Sequence, residues 1–185
     1  MGRELEVKVL NIDKSEIERK LVEIGAELVK RELQVNSVYD YPDGSFERER
    51  RGYIRIREIK DLSTGAVEYE FTIKKIISND GIKEYEEIET KVEDKESLGR
   101  MLLELGLSKK HEGYKERIRY RLENIVYDID TWDEATVPYP YLEIEVESKE
   151  DLKRAVELIG ASESDISLKT IRELKAEAEA EKQEG

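Results

Sequence analysis

The chain has 185 residues, 42% of them charged and 38% hydrophobic, and a formal net charge of −13. This allows one ordinary domain or two small ones with a narrow core, and it disfavours a nucleic acid polymer as partner while leaving room for a compact anion in a local basic pocket. With no cysteine, disulfides and thiolate chemistry are excluded, and a single histidine argues against a His-built zinc centre, so a hard metal ion held by oxygen is expected.

The first expected strand, about 3–10, alternates Glu4, Glu6 and Lys8 with Leu5, Val7 and Val9; residues two apart in a strand share a face. A helix follows from Asp13 to Gly25, with Asp13 and Glu16 as cap and first-turn acid, and Ile17, Leu21 and Ile24 as its apolar stripe. Strands are expected near 35–41, 53–59, 67–76 and 83–92, separated by Pro42-Asp43-Gly44, Ser63-Thr64-Gly65 and Asn79-Asp80-Gly81. A second helix runs from Asp94 to Gly106 with Leu98, Met101, Leu102 and Leu105 as its stripe. Strands near 114–122 and 125–132 flank Glu123-Asn124, and another covers 141–147. The third helix, Ser148 to Gly160, carries Leu152, Ala155, Val156 and Ile159, and a fourth starts near Ser164 to Ser167 and passes through Leu168, Ile171 and Leu174. The Glu-Ala-Glu tail lacks a core face, which makes 1–175 a single domain and 176–185 a frayed acidic end. No apolar run approaches the roughly 20 residues of a membrane span and no signal pattern opens the chain, so a soluble, cytoplasmic protein is expected.

Parity sorts the charges. Arg55 and Arg57, Lys74, and Lys115, Arg117 and Arg119 each share a face opposite apolar neighbours, as do Glu87 with Glu89, Asp128 with Asp130, and Glu143 with Glu145. One reading puts these faces in water, as on most alternating strands. The other puts them inside a small barrel, with the helix stripes covering the apolar faces. Two features favour the barrel: signs are segregated by strand instead of mixed, and eight antiparallel strands suit closure. The expected fold is therefore α+β, an eight-stranded antiparallel β-barrel with helices packed outside. Its charged interior would be costly unless a bound anion and a divalent cation neutralised it. His111 reads as an exposed loop residue, and Tyr39, Tyr41, Trp132, Tyr139 and Tyr141 as core or rim packing.

Glu4-x-Glu6-x-Lys8 resembles the ExExK signature of the CYTH superfamily, the triphosphate tunnel metalloenzymes. The likeness continues in order through Arg55-x-Arg57, Thr72-x-Lys74, Glu87-x-Glu89, Lys115-x-Arg117-x-x-Tyr120, Asp130-Thr131-Trp132 and Tyr141-Leu142-Glu143-Ile144-Glu145. It implies a tunnel binding a triphosphate with two divalent ions, Mg²⁺ or Mn²⁺. Carried over by motif, Glu4, Glu6, Glu143 and Glu145 would be metal ligands, assisted by Asp130 and Glu87 or Glu89. Lys8, Arg55, Arg57, Lys74, Lys115, Arg117 and Arg119 would hold phosphates, and Lys8 and Asp130 would be catalytic. The stretch around Asp130 to Glu145 is most similar to the CyaB-like branch of class IV adenylyl cyclases, which implies conversion of ATP to cyclic AMP and pyrophosphate. Hydrolysis of thiamine triphosphate or tripolyphosphate, and non-catalytic binding of a polyphosphate or nucleotide, are the alternatives. The partner implied is a small-molecule triphosphate, with no membrane, and a homodimer is left open.

Overall fold

A computed structural model of the chain describes residues 2–79 and 82–184, with side chains at 2–4, 79, 163 and 181–184 outside the description. The elements run β1 (Gly2–Val9), α1 (Lys14–Glu23), β2 (Glu27–Asp40), α2 (Ser45–Arg50), β3 (Gly52–Asp61), β4 (Val67–Asn79) and β5 (Lys83–Val92). They continue with α3 (Lys95–Glu104), β6 (Ser108–Leu122), β7 (Ile125–Trp132), β8 (Tyr141–Val146), α4 (Lys149–Ile159), β9 (Ile166–Ser167) and α5 (Ile171–Glu184). Eight strands pair in the order β5-β4-β3-β2-β6-β7-β8-β1, and antiparallel pairing of β1 with β5 closes the barrel. The short β9 adds to β1 at Lys8 and Val9, beyond the point where β5 leaves it. Among the described residues no helix is long and apolar enough to cross a membrane.

The outer faces make the hydrophobic core. Ile17 and Leu21 of α1 and Ala155, Val156 and Ile159 of α4 pack on Val7, Ile129, Leu142 and Ile144; each buried aliphatic side chain contributes roughly 1.5–3 kcal/mol. The expected caps form: Asp13, Asp94 and Ser148 accept the backbone N–H of Glu16, Ser97 and Asp151. Gly25, Gly106 and Gly160 end their helices at positive φ of 84°, 88° and 63°, where a side chain would be strained.

Several elements differ from the sequence reading. β2 and β6 begin at Glu27 and Ser108, well before the expected 35 and 114, because they pair with each other along almost their whole length. His111 therefore lies in β6, half-buried with its Nε2 at 3.3 Å from Thr136 Oγ1, and is not a loop residue. The unexpected α2 is capped from a distance: Asp40 accepts the N–H groups of Phe46 (2.9 Å) and Glu47 (3.1 Å). The last helix starts at Ile171, after β9, because Thr170 and Glu173 form a reciprocal capping box, Glu173 N–H to Thr170 Oγ1 at 3.2 Å and Thr170 N–H to Glu173 Oε2 at 2.6 Å. Helical backbone then continues past Ala176, with Ala178 buried.

Helix α3 covers less than its stripe implies. Leu102 packs with Tyr39, Ile54, Ile56 and Leu107, whereas Met101, Leu105 and, on β5, Ile88 are exposed. The helix leans on β3 and β6 and leaves Ile88 of β5 exposed. Helix α5 meets the barrel where β8 begins, with Leu174 fully buried against Val137 and Tyr141.

Candidate functional site

The parity that sends Val7, Ile129, Leu142 and Ile144 outward sends Glu6, Lys8, Asp128, Asp130 and Glu143 inward, none of them more than 9% exposed. Register then sets the neighbours. Lys8 lies opposite Glu143, which lies opposite Asp128, and Asp130 lies opposite Arg117. Across the barrel Lys74 faces Glu87, Thr72 faces Glu89, and Arg57 faces Glu70.

These pairings form a nearly continuous circuit of opposite charges. Arg55 approaches Glu87 (3.8 Å), Glu87 meets Lys74 (3.3 Å), and Lys74 meets Glu6 (3.0 Å). Glu6 reaches Lys8 (3.2 Å), Lys8 reaches Glu143 (3.1 Å), and Glu143 reaches Arg117 (3.0 Å). Arg117 forks onto Asp130, Nε at 2.7 Å and Nη2 at 2.7 Å, and also touches Asp128 at 2.6 Å. Lys115 (2.8 Å) and the Tyr141 hydroxyl (3.2 Å) complete the shell of Asp130. The segregation of sign by strand thus becomes pairing across strands: the interior neutralises much of its own charge without a ligand.

The balance is uneven, and the imbalance is informative. Burial and the guanidiniums of Arg55 and Arg117 press Arg57 down to about 10. Burial and Arg117 pull Lys115 down to about 7, against the attraction of Asp130. Cations from β3 and β6 are therefore crowded together across the inner face of β2. At the other wall, burial and the neighbouring Asp128 raise Glu145 to about 7, with Arg119 no nearer than 3.7 Å. Burial opposes ionisation of Glu143, but Lys8 and Arg117 outweigh it and hold Glu143 well below the usual carboxylate range. A polyanion would relieve the first wall and a cation the second.

The structure brings Glu6, Lys8, Arg55, Arg57, Lys74, Glu87, Lys115, Arg117, Arg119, Asp130, Glu143 and Glu145 into one lumen. Glu89 sits at its edge, accepting from Thr72 Oγ1 at 3.0 Å. The backbone of Glu4 pairs with Tyr85, but its side chain is outside the described residues. Asp130 is fully buried as the counter-ion of Arg117 and Lys115, and Lys8 is held as a firm cation between Glu6 and Glu143. Burial opposes the charge on each, but Arg117 and Lys115 hold the Asp130 carboxyl below its ordinary value, and Glu143 and Glu6 hold the Lys8 ammonium above its own.

Sequence reasoning missed four lining residues. Glu32, Gln34 and Asn36 lie buried on β2, with Asn36 accepting from Arg57 Nε at 3.0 Å. Their alternation with Leu33 and Val35 was available as a signal, but the preceding Leu28-Val29 breaks it. Lys83 shares the parity of Glu87 and is 2% exposed. Asp128, placed on the charged face without a role, belongs to the acidic group.

Carboxylate oxygens of Asp128, Glu143 and Glu145 lie within 4.8 Å of one another. All-oxygen donors and an under-neutralised Glu145 suit a hard divalent ion. Without metal, a pH effect follows. Because the native Glu145 carboxyl titrates near 7 instead of its ordinary 4.5, the native state holds an extra proton between those values, and stability falls as pH rises across that window. Urea unfolding in EDTA at pH 5 and pH 8 should show this loss in wild type and a smaller one in Glu145→Gln; equal losses would refute the assignment.

Comparison with known proteins agrees with this geometry. Residues 2–176 match the CYTH domain family. No curated sequence matches the chain. Among solved structures, the PH1819 protein of Pyrococcus horikoshii superposes with a TM-score of 0.79 at 23% identity, covering 94% of this chain and 98% of that one. A Vibrio parahaemolyticus protein described provisionally as an adenylate cyclase gives 0.77 at 16% identity, covering 94% and 97%. A Hippeastrum protein, named provisionally as an adenylyl cyclase and described as having a dominant triphosphatase activity, gives 0.67 at 15%, covering 96% of each chain. At these identities the likeness is one of fold. The match over residues 2–176 and the closed barrel with its charged lumen together identify the chain as a member of the CYTH domain family.

Proposed function

We propose that the tunnel binds a triphosphate together with Mg²⁺ or Mn²⁺ and breaks a phosphoanhydride bond in it. The observation that carries this reading is the uneven charge of the lumen: cations crowded around Arg57, Arg117 and Lys115 adjoin, through Arg117, the acidic group of Asp128, Glu143 and Glu145. Arg55, Arg57 and Lys74 would hold phosphate oxygens, with guanidinium forks setting their orientation. Asp128, Glu143 and Glu145 would hold the divalent ion, with Glu6 and Glu4 on the neighbouring strand. The ion would supply charge neutralisation at phosphate oxygens as the bond breaks. Arg117, locked by Asp130, would present a rigid positive charge that needs no reorganisation during the reaction.

Two nucleophiles fit this frame. Attack by a ribose 3′-hydroxyl on the α-phosphorus gives the adenylyl cyclase reaction, and the likeness of Asp130 to Glu145 to the cyclase-named branch supports it. Attack by water on the terminal phosphorus gives a triphosphatase, and the lining supports that: Tyr53, Tyr85 and Tyr141 are each engaged with Arg55, Lys74 or Asp130. A stacked base would have to displace one of those contacts. Incubation with ATP, thiamine triphosphate and tripolyphosphate, each with Mg²⁺ or Mn²⁺, separates the two. Cyclic AMP and pyrophosphate mark the cyclase and orthophosphate the triphosphatase; no product from any substrate refutes the enzyme reading.

A further inference from the structure

Lys83 differs from the other cations of the lumen. Each of Lys8, Arg55, Arg57, Lys74, Lys115, Arg117 and Arg119 has a carboxylate at 3.8 Å or closer. Lys83 is 2% exposed, and among the described residues its Nζ has no hydrogen-bond partner. It stands opposite Glu6 in the β1–β5 register, on the inward face it shares with Tyr85. The carboxylates that attract it are already engaged: Glu6 by Lys8 and Lys74, Glu173 of α5 by the N–H and hydroxyl of Thr170, and Glu143 by Lys8 and Arg117. Lys8 adds repulsion, and with burial it draws Lys83 down to about 8.

An ammonium walled in without a counter-ion is costly, so its retention needs a compensating partner. Each of those seven cations would share its charge between a carboxylate and a phosphate, whereas Lys83, among the described residues, has no carboxylate contact to weaken. We propose that Lys83 is a phosphate-binding residue, taking the phosphate group that lies nearest α5. This rests on the reading of the lumen as a triphosphate site.

Thermal unfolding and calorimetric titration with tripolyphosphate, at fixed free Mg²⁺, test it on Lys83→Met and Lys83→Gln. Both variants should weaken tripolyphosphate binding at least tenfold. Unliganded, they should unfold at or above the wild-type temperature, because an uncompensated buried charge has gone. Lys153→Ala, on the exposed face of α4, should bind as wild type does. If wild type binds and the Lys83 variants bind within twofold of it, or unfold at lower temperature, the assignment of Lys83 is overturned while the tunnel reading stands. If wild type itself fails to bind tripolyphosphate, both are overturned.

Discussion

Replacing Arg117 with methionine is expected to destabilise the fold by about 4 kcal/mol, because removing one partner of a buried ion-pair network leaves uncompensated charge behind. Arg117 is the hub of the lumen: its guanidinium contacts Asp128, Asp130 and Glu143 at 3.0 Å or closer, and both aspartates are fully buried. For a chain of this size that loss corresponds to a fall in Tm of roughly 10 °C. Arg57→Met should behave differently. Its contacts are looser, Glu70 at 3.7 Å and the Asn36 carbonyl at 3.0 Å, and neighbouring cations already disfavour it. It should lose little stability while weakening triphosphate binding. Urea unfolding of the two variants decides the matter: equal midpoints would mean that the Arg117 network does not support the fold. The double variant Arg117→Met with Asp130→Leu should recover part of the loss, as coupled sites do.

Glu145→Gln is expected to lower kcat for metal-dependent cleavage by about a thousandfold or more, equivalent to ~4 kcal/mol of transition-state stabilisation, while the fold is kept. Glu145 shares its corner with Asp128 and Glu143, and among the described residues its nearest counter-charge is Arg119 at 3.7 Å. Neutralising it removes repulsion from the ligand-free protein and a ligand from the ion. The variant should therefore be as stable as wild type in EDTA, or more so, and should lose the extra stability that Mg²⁺ confers on wild type. Turnover within tenfold of wild type would remove Glu145 from the metal site.

Much of this was legible in the sequence, because period-two alternation determines which side chains share a face and the cap signals mark where helices begin. Glu6, Lys8, Arg55, Arg57, Glu143 and Glu145 were placed on shared faces by parity alone, and closure into a barrel was the added step. Pair partners were not legible, since they depend on register. Asp130 and Asp128 look equivalent in sequence, and register sets each opposite an arginine of β6, Arg117 and Arg119, but on β8 Asp130 meets Tyr141 while Asp128 meets Glu143. The first half of β2 was missed because Leu28, Val29 and Leu33 are exposed there, so hydrophobicity does not report the buried face. Thr170-x-x-Glu173 was readable as a capping box, but the apolar residues upstream drew the expected start of the last helix too early.

The central claim is that the lumen recognises a chain of phosphates. Its most direct measurement is calorimetric titration of the protein with tripolyphosphate and, separately, with AMP, at fixed free Mg²⁺ and moderate salt. Tripolyphosphate carries no base, so it tests the cationic walls alone. Successive phosphates meeting Lys74, Arg55 and Arg57 should make it bind at least a hundredfold more tightly than AMP, about 2.7 kcal/mol or more. Equal affinity for the two, or tighter binding of AMP, would mean that the site reads the nucleoside and would contradict the account.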